Sequence, residues 1–204
     1  MLAASGRPAG SLVGWTAEFK ADGFRCQIAV STSRRVARTR GGHDIADRLP
    51  ELEVLSRVGV DMILDGELIV GAGRPADFPA LAGAVASKRR DRTRTNFVAF
   101  DLLAVDCQML INRPHAERRQ LLDHLAVLAP EALTVVPSYP AIDVDALLVA
   151  CDELDLEGVV LKRCSSLYRP GARSKDWRKV KTDAWRTKHL PARQKSMEHR
   201  PRAA

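Results

Sequence analysis

The chain has no apolar run approaching the roughly 18 residues that a membrane span requires. Positions 1–14 lack the charged start and apolar block of a secretory leader. Its four cysteines, Cys26, Cys107, Cys151 and Cys164, stand far apart with no CxxC or CxxH pair. That spacing argues against a zinc site and a disulfide framework and fits a reducing compartment. The expectation is therefore a soluble, cytoplasmic protein whose cysteines serve as buried small apolar residues. No internal repeat is visible, and no low-complexity segment apart from an arginine-rich C-terminal end. With 46% hydrophobic and 28% charged residues, disorder and fibrous repeats are excluded. A length of 204 residues suits one ordinary domain, large enough to bury a core without staples.

Acid is scarcer than base, 25 Asp/Glu against 32 Lys/Arg, for a formal charge of +7. The excess is uneven. Positions 185–204 carry Arg186, Lys188, Arg193, Lys195, Arg200 and Arg202 against Glu198 alone, and a second run from Lys88 to Arg94 opposes five cations to Asp91. Such patches suit nucleic acid, because each neutralised phosphate releases condensed counterions; a solvated loop and tail are the plain alternative.

Strand and helix patterns alternate along the chain. Trp15–Val30 reads as a hairpin folded at Asp22-Gly23, with Thr16, Glu18 and Lys20 sharing one face. Val36–Arg40 is a further strand, and Asp44 caps a helix to about Val58 that turns Leu49, Leu52 and Leu55 inward. Met62–Val70 is a buried strand interrupted by Asp65-Gly66-Glu67, followed by a short helix over Asp77–Val85 and a strand over Phe97–Val105. Pro114 opens a helix with a Leu121, Leu122, Leu125, Leu128 stripe; Asp143 caps another with Leu147, Leu148, Cys151 and Leu154 on one side. Gly158–Lys162 and Trp177–Lys181 close the pattern as strands. This predicts one α+β domain over residues 15–183, mainly antiparallel sheets flanked by helices. Residues 1–14 are then a lead-in and 184–204 a basic, disordered tail.

Several polar residues stand where a strand would not choose them. Asp65 and Glu67 lie one pleat apart inside an apolar strand, where two carboxylates are costly without a cation or donor. Glu157 opens the strand Val159-Val160-Leu161 and Lys162 closes it, while Trp177, Lys179 and Lys181 project from one face of the last strand. Singly, each has a structural explanation: Lys20 snorkelling at a strand end, Asp65-Gly66 forming a turn, Trp177 filling core. Their order along the chain is harder to explain that way.

That order resembles the motif series of the covalent nucleotidyltransferases, specifically the adenylation domain of ATP-dependent DNA ligases. Lys20-Ala21-Asp22-Gly23-Phe24-Arg25 resembles KxDGxR, and Leu64-Asp65-Gly66-Glu67-Leu68 resembles the DGE motif. Phe97–Leu103 resembles FxxFDLL, Glu157–Lys162 resembles EGVVxK, and Tyr168–Lys181 resembles YxPGxRSxxWxKxK. Thr39-Arg40-Gly41 with Leu49-Pro50-Glu51-Leu52 is similar to SRxG…PEL, threonine replacing serine. The match runs from about Trp15 to Thr182.

The resemblance implies an ATP-grasp-like covalent nucleotidyltransferase fold and a reaction. Lys20, with Asp22 in the same motif, would attack the α-phosphate of ATP and form lysyl-AMP. AMP would pass to the 5′-phosphate of nicked double-stranded DNA, and the 3′-hydroxyl would then seal the strand. Only a neutral amine attacks, and a lysine at its reference pKa of ~10.4 is neutral in roughly one molecule per thousand at pH 7.4. The resemblance implies that Lys179, Lys181 and bound Mg²⁺ (or Mn²⁺) supply the positive charge that offsets this. It further implies that Glu67 and Glu157 hold ribose and metal, that Phe100 stacks on adenine and that Glu18 lies at the base edge. Arg25 and Arg173 would hold ribose or phosphate, Lys162 would approach the triphosphate, and Arg40 would hold the nick 5′-phosphate as a guanidinium fork. Family ligases continue into an OB-fold domain, whereas positions 183–204 show no strand pattern and cannot build a five-stranded barrel. The expectation is thus a monomer that needs an OB-fold in trans for sealing. Catalytically silent ATP or DNA binding, and RNA ligase or GTP-using capping chemistry, are the competing readings.

Overall fold

The computed structural model describes residues 1–31, 34–86 and 93–188. Two sheets carry the architecture. The first has the order β1 (Leu2–Ser5), β11 (Arg173–Lys181), β10 (Gly158–Arg163), β2 (Trp15–Phe19) and β9 (Ser138–Pro140). The second has the order β4 (Arg35–Thr39), β3 (Phe24–Val30), β5 (Met62–Val70), β6 (Thr95–Val105) and β7 (Gln108–Met109), with β8 (Thr134–Val135) also pairing β6. All pairings are antiparallel except β1 with β11 and β6 with β8.

Alternation along the strands sorts each sheet into faces. Cys26, Ile28, Leu64, Leu68 and Leu102 bury one face of the second sheet against Leu49, Leu52, Leu55, α1 (Phe78–Ala86) and α2 (His115–Leu128). Ala17, Val159, Leu161 and Val180 of the first sheet pack on α3 (Val144–Glu153) through Val144 and Cys151. Leu103, Tyr168 and Trp177 form a third cluster, with Phe100 packed against it.

Several sequence expectations change in three dimensions. Asp22-Gly23 is not a hairpin turn: β2 and β3 belong to different sheets, and the motif is the crossover between them. The crossover is pinned by Lys20 N–H donating to the Gly158 carbonyl at 2.8 Å and Asp22 N–H to that of Gly73 at 2.8 Å. It runs so close to β5 that a Cβ on Gly23 would lie 2.1 Å from the Leu68 carbonyl oxygen. Residues 1–14 are more than a lead-in, since Leu2 and Ala3 register with Arg173 and Ser174. The helix expected from Asp44 to Val58 is two 3₁₀ stretches, Ala46–Arg48 and Pro50–Val58, divided where Pro50 removes a donor. Asp44 still caps, accepting from the Ala46 N–H at 3.0 Å. Leu128 and Leu154 leave their expected apolar stripes and are exposed, as is Cys107. The supposed tail begins inside a helix over residues 183–188, in which Trp185 is buried. The rest of that tail, and positions 88–92 of the second basic run, lie outside the described residues. No helix among the described residues is long and apolar enough to cross a membrane.

Candidate active site

The two sheets meet around a cavity of about 320 Å³, within the range of small-molecule sites. It is lined by Glu18, Lys20 and Asp22 from β2 and the crossover, Arg25 from β3, Arg40 after β4, and Glu67 from β5. Phe100 of β6, Glu157 and Lys162 at the ends of β10, and Arg173, Lys179 and Lys181 of β11 complete the polar and stacking surface. Every site residue nominated from the sequence therefore faces one cavity, although the residues span the chain from position 18 to 181.

At one end, Glu157 serves two lysines. Lys20 Nζ lies 2.7 Å from Oε2 and Lys181 Nζ 2.7 Å from Oε1. Burial alone would raise the Glu157 carboxyl, but Lys20 and Lys181 overcome it and hold it below the ordinary carboxylate range. Lys179 is shifted down from its usual value by burial and by the neighbouring Lys181 and Lys20. The Lys181 ammonium also sits 3.5 Å from the centre of the Trp185 ring, a cation–π contact. Glu67 stands alone: among the described residues it makes no hydrogen bond or ion pair. Burial raises its carboxyl to about 7, against the pull of Lys20 and Arg25.

At the other end the charges are enclosed. Lys162 is 1% exposed, with Nζ 2.6 Å from Glu18 Oε2 and donating to the Phe100 carbonyl at 2.8 Å. It also lies 4.6 Å over the Phe100 ring and 4.5 Å over that of Trp177. Lys162 thus does not reach toward the lysine end as expected for a triphosphate ligand; the register Val160↔Glu18 brings its strand beside β2, and Glu18 captures it. Burial pushes the Glu18 carboxyl up and the Lys162 ammonium down. Arg25 lines the cavity while forked on Asp65, Nε to Oδ1 at 3.0 Å and Nη2 to Oδ2 at 2.6 Å. The Tyr168 hydroxyl donates to the same carboxylate at 2.6 Å. Asp65 is thereby the buried counter-ion of Arg25 and not a turn residue. Arg173 donates to the Ala3 carbonyl at 2.6 Å, which explains why the edge strand β1 contributes Leu2 and Ala3 to the wall.

Sequence reasoning missed Arg119 and His115 of α2, both buried and both touching Glu18. Neither falls in a motif, and the helical periodicity marks their turn only as polar.

The family model for the ATP dependent DNA ligase domain matches residues 11–181. The chain belongs to this family. The ligase domain is 34% identical over 196 residues to the multifunctional non-homologous end joining DNA repair protein LigD of Mycobacterium tuberculosis, covering 93% of this chain and 24% of that protein. It is 39% identical over 181 residues to a probable DNA ligase of Streptomyces griseus, covering 80% of this chain and 35% of that protein. The chain thus spans a quarter to a third of the length of these curated relatives. The crystal structure of the ligase domain from M. tuberculosis LigD is similar with a TM-score of 0.75 at 32% identity, over 88% of this chain and 59% of that one. A mycobacterial DNA ligase D complexed with ATP and MES gives 0.74 at 32%, over 88% and 58%.

The expected metal ligands divide on geometry. Glu67 offers a carboxylate that, among the described residues, no side-chain cation pairs within ion-pair distance, the kind of oxygen donor a hard divalent ion takes. Both oxygens of Glu157 are already held by lysines.

Proposed function

We propose that this ligase domain transfers AMP from ATP to Lys20 and then to the 5′-phosphate of nicked double-stranded DNA. The observation that carries the reading is one buried carboxylate, Glu157, shared between Lys20 and Lys181 on a cavity wall that also holds Lys179. ATP would lie with its base toward Val98, Phe100, Val136 and Val160 and its phosphates toward the lysines. The Lys20 Nζ–Pα bond forms, the Pα–O bond to pyrophosphate breaks, and the displaced protons pass to water or to the departing pyrophosphate. Lys179 and Lys181 counter the charge that develops on the phosphates. Glu157 keeps Lys181 as a partner when Lys20 turns to the nucleotide, so no buried charge is stranded. Glu67 would hold Mg²⁺ (or Mn²⁺), which supplies charge neutralisation of the triphosphate when bound. Arg40, an exposed residue of the cavity lining, would fork on an incoming 5′-phosphate. Sealing calls for an OB-fold from outside these residues, in the same polypeptide or another.

Incubation with labelled ATP and Mg²⁺ should leave one AMP on the chain, mapped to Lys20 by peptide mass spectrometry and absent in Lys20→Ala. Nucleotide binding with no adduct, even with an OB-fold domain supplied, would reduce the protein to a ligase-like binding module. Faster adenylation by GTP, or transfer to nicked RNA in preference to DNA, would move it to the capping or RNA ligase branch.

A further inference from the structure

The lysine end of the cavity is backed by a residue that lies past the matched ligase domain. The family match and β11 both end at Lys181, and the chain then turns at Thr182 into the helix over residues 183–188. Trp185 in that helix is 3% exposed, with its ring centre 3.5 Å from Lys181 Nζ. The other cation–ring contacts among the described residues are longer, from 4.5 to 6.0 Å.

The turn that presents this ring is tied to the carboxylate that Lys181 pairs. Thr182 N–H donates to the Glu157 carbonyl at 3.2 Å. Thr182 Oγ1 accepts from the Trp185 N–H at 3.0 Å, the arrangement of an N-cap threonine. Lys181 Nζ then returns to Glu157 Oε1 at 2.7 Å. The circuit is closed: Glu157 main chain to Thr182, Thr182 to Trp185, ring to Lys181, Lys181 to the Glu157 carboxylate. Lys188 fastens the far end of the helix, its Nζ 3.1 Å from Asp155 Oδ1, two residues before Glu157.

Such a circuit has a chemical use. Glu157 is shared, so Lys20 and Lys181 compete for it. A lysine ammonium rides on a flexible four-carbon stem, and one anchor alone holds it loosely. The ring is a second anchor, which attracts the cation without adding a counter-charge. Lys181 still lines the cavity and keeps 20% of its side chain in solvent, so the ring covers the ammonium without sealing it away.

We infer that Trp185 is a positioning residue for adenylation: its ring seats Lys181 on Glu157, where Lys181 counters phosphate charge and keeps the carboxylate occupied as Lys20 leaves it. The inference rests on the proposed adenylation function for what Lys181 does, and on geometry alone for where the ring holds it.

A double-mutant cycle read by single-turnover labelling of the full chain tests the role. Trp185→Leu should lower the rate at saturating ATP about 3- to 30-fold, the range of a cation–π contact, with the half-saturating ATP concentration little changed. Trp185→Phe, which keeps a smaller ring face, should fall between. In a Lys181→Gln background Trp185→Leu should cost nothing further. Equal losses in both backgrounds would make the ring architectural and overturn the assignment. Competitive acetylation with acetic anhydride, read by peptide mass spectrometry without ATP, tests the seat itself. Trp185→Leu should raise acetylation of Lys181 about 3- to 10-fold relative to the exposed Lys175 of the same sample. If Trp185→Leu does not fold, Trp185→Phe carries both measurements, with smaller changes of the same sign. Unchanged acetylation in a folded variant, with the Lys20 adduct still formed, overturns the inference and leaves the adenylation reading intact. Ring-dependent protection of Lys181 in a chain that forms no adduct leaves the seat standing and removes the adenylation reading.

Discussion

The two ends of the cavity follow opposite electrostatic plans. Where Lys20 and Lys181 share Glu157, the lysine side chains keep 23% and 20% of their surface in solvent. Around Glu18 the carboxylate and the Lys162 ammonium are exposed by only 3% and 1%, and each charge meets its opposite within hydrogen-bond distance. Groups that must change partners during a reaction are kept wet and oversupplied with cations, since a stranded charge there can fall back on water. Groups that only recognise a shape can be buried and neutralised, because their partners never change. Burial makes the second arrangement rigid and costly to breach.

The largest effect expected is at the wet end. Lys20→Ala should abolish the AMP adduct in intact-mass measurements while shifting urea stability by less than about 1 kcal/mol, since Lys181 still pairs the buried Glu157 carboxylate once Lys20 is gone. A large loss of stability would mean that the wet end is architectural too. At the buried end the balance should reverse. Asp101→Asn strands the guanidinium of Arg118, both side chains being 0% exposed, and should cost about 3–5 kcal/mol in urea titrations.

Glu157→Gln lies between these extremes. It should slow adenylation about 10²- to 10³-fold, the scale of losing one preorganised charge, as measured by single-turnover labelling. A rate near wild type would show that the two lysines need no common counter-charge. The smallest effect concerns pH. Burial, followed by Lys162, Arg118 and Arg119, lowers His115 to about 2, whereas the unfolded chain takes up that proton near pH 6.5. Below pH 6.5 the unfolded state therefore binds more protons, and folding stability falls as pH falls. Between pH 7.5 and 5.5 the wild type should lose about 1 kcal/mol more than His115→Gln, read from urea midpoints. Equal losses would remove His115 from the buried, neutralised set.

Much of the site was legible because its residues fall in a motif series that resembles the DNA ligase adenylation domain. Lys179 and Lys181 alternate with Val180 and so share a face, whereas Glu157 and Lys162, an odd five residues apart, were nominated by the motif series and are brought to one cavity only by the fold. What could not be read was long-range partnership. Asp22-Gly23 carries a genuine local turn signal, yet β2 finds its neighbours in β10 and β9, positions more than 115 residues away. The destination of Lys162 depends on its strand's register with β2, not on its own motif. β1 runs parallel to β11 and is only 4 residues long, and β7 and β8 are 2 each, too short to show any period. Arg119 sits on a helix whose polar turns look alike until the fold shows which one faces inward.

Gly23 gives the crossover a further meaning. Its nearest obstacle to a side chain is main chain, at 2.1 Å, and main chain in mid-sheet cannot step aside as a rotamer can. An alanine there would have to push the crossover that carries Lys20 away from β5, and on the proposed adenylation reading that would cost the transfer. One position lacking a methyl group therefore sets where the crossover can run.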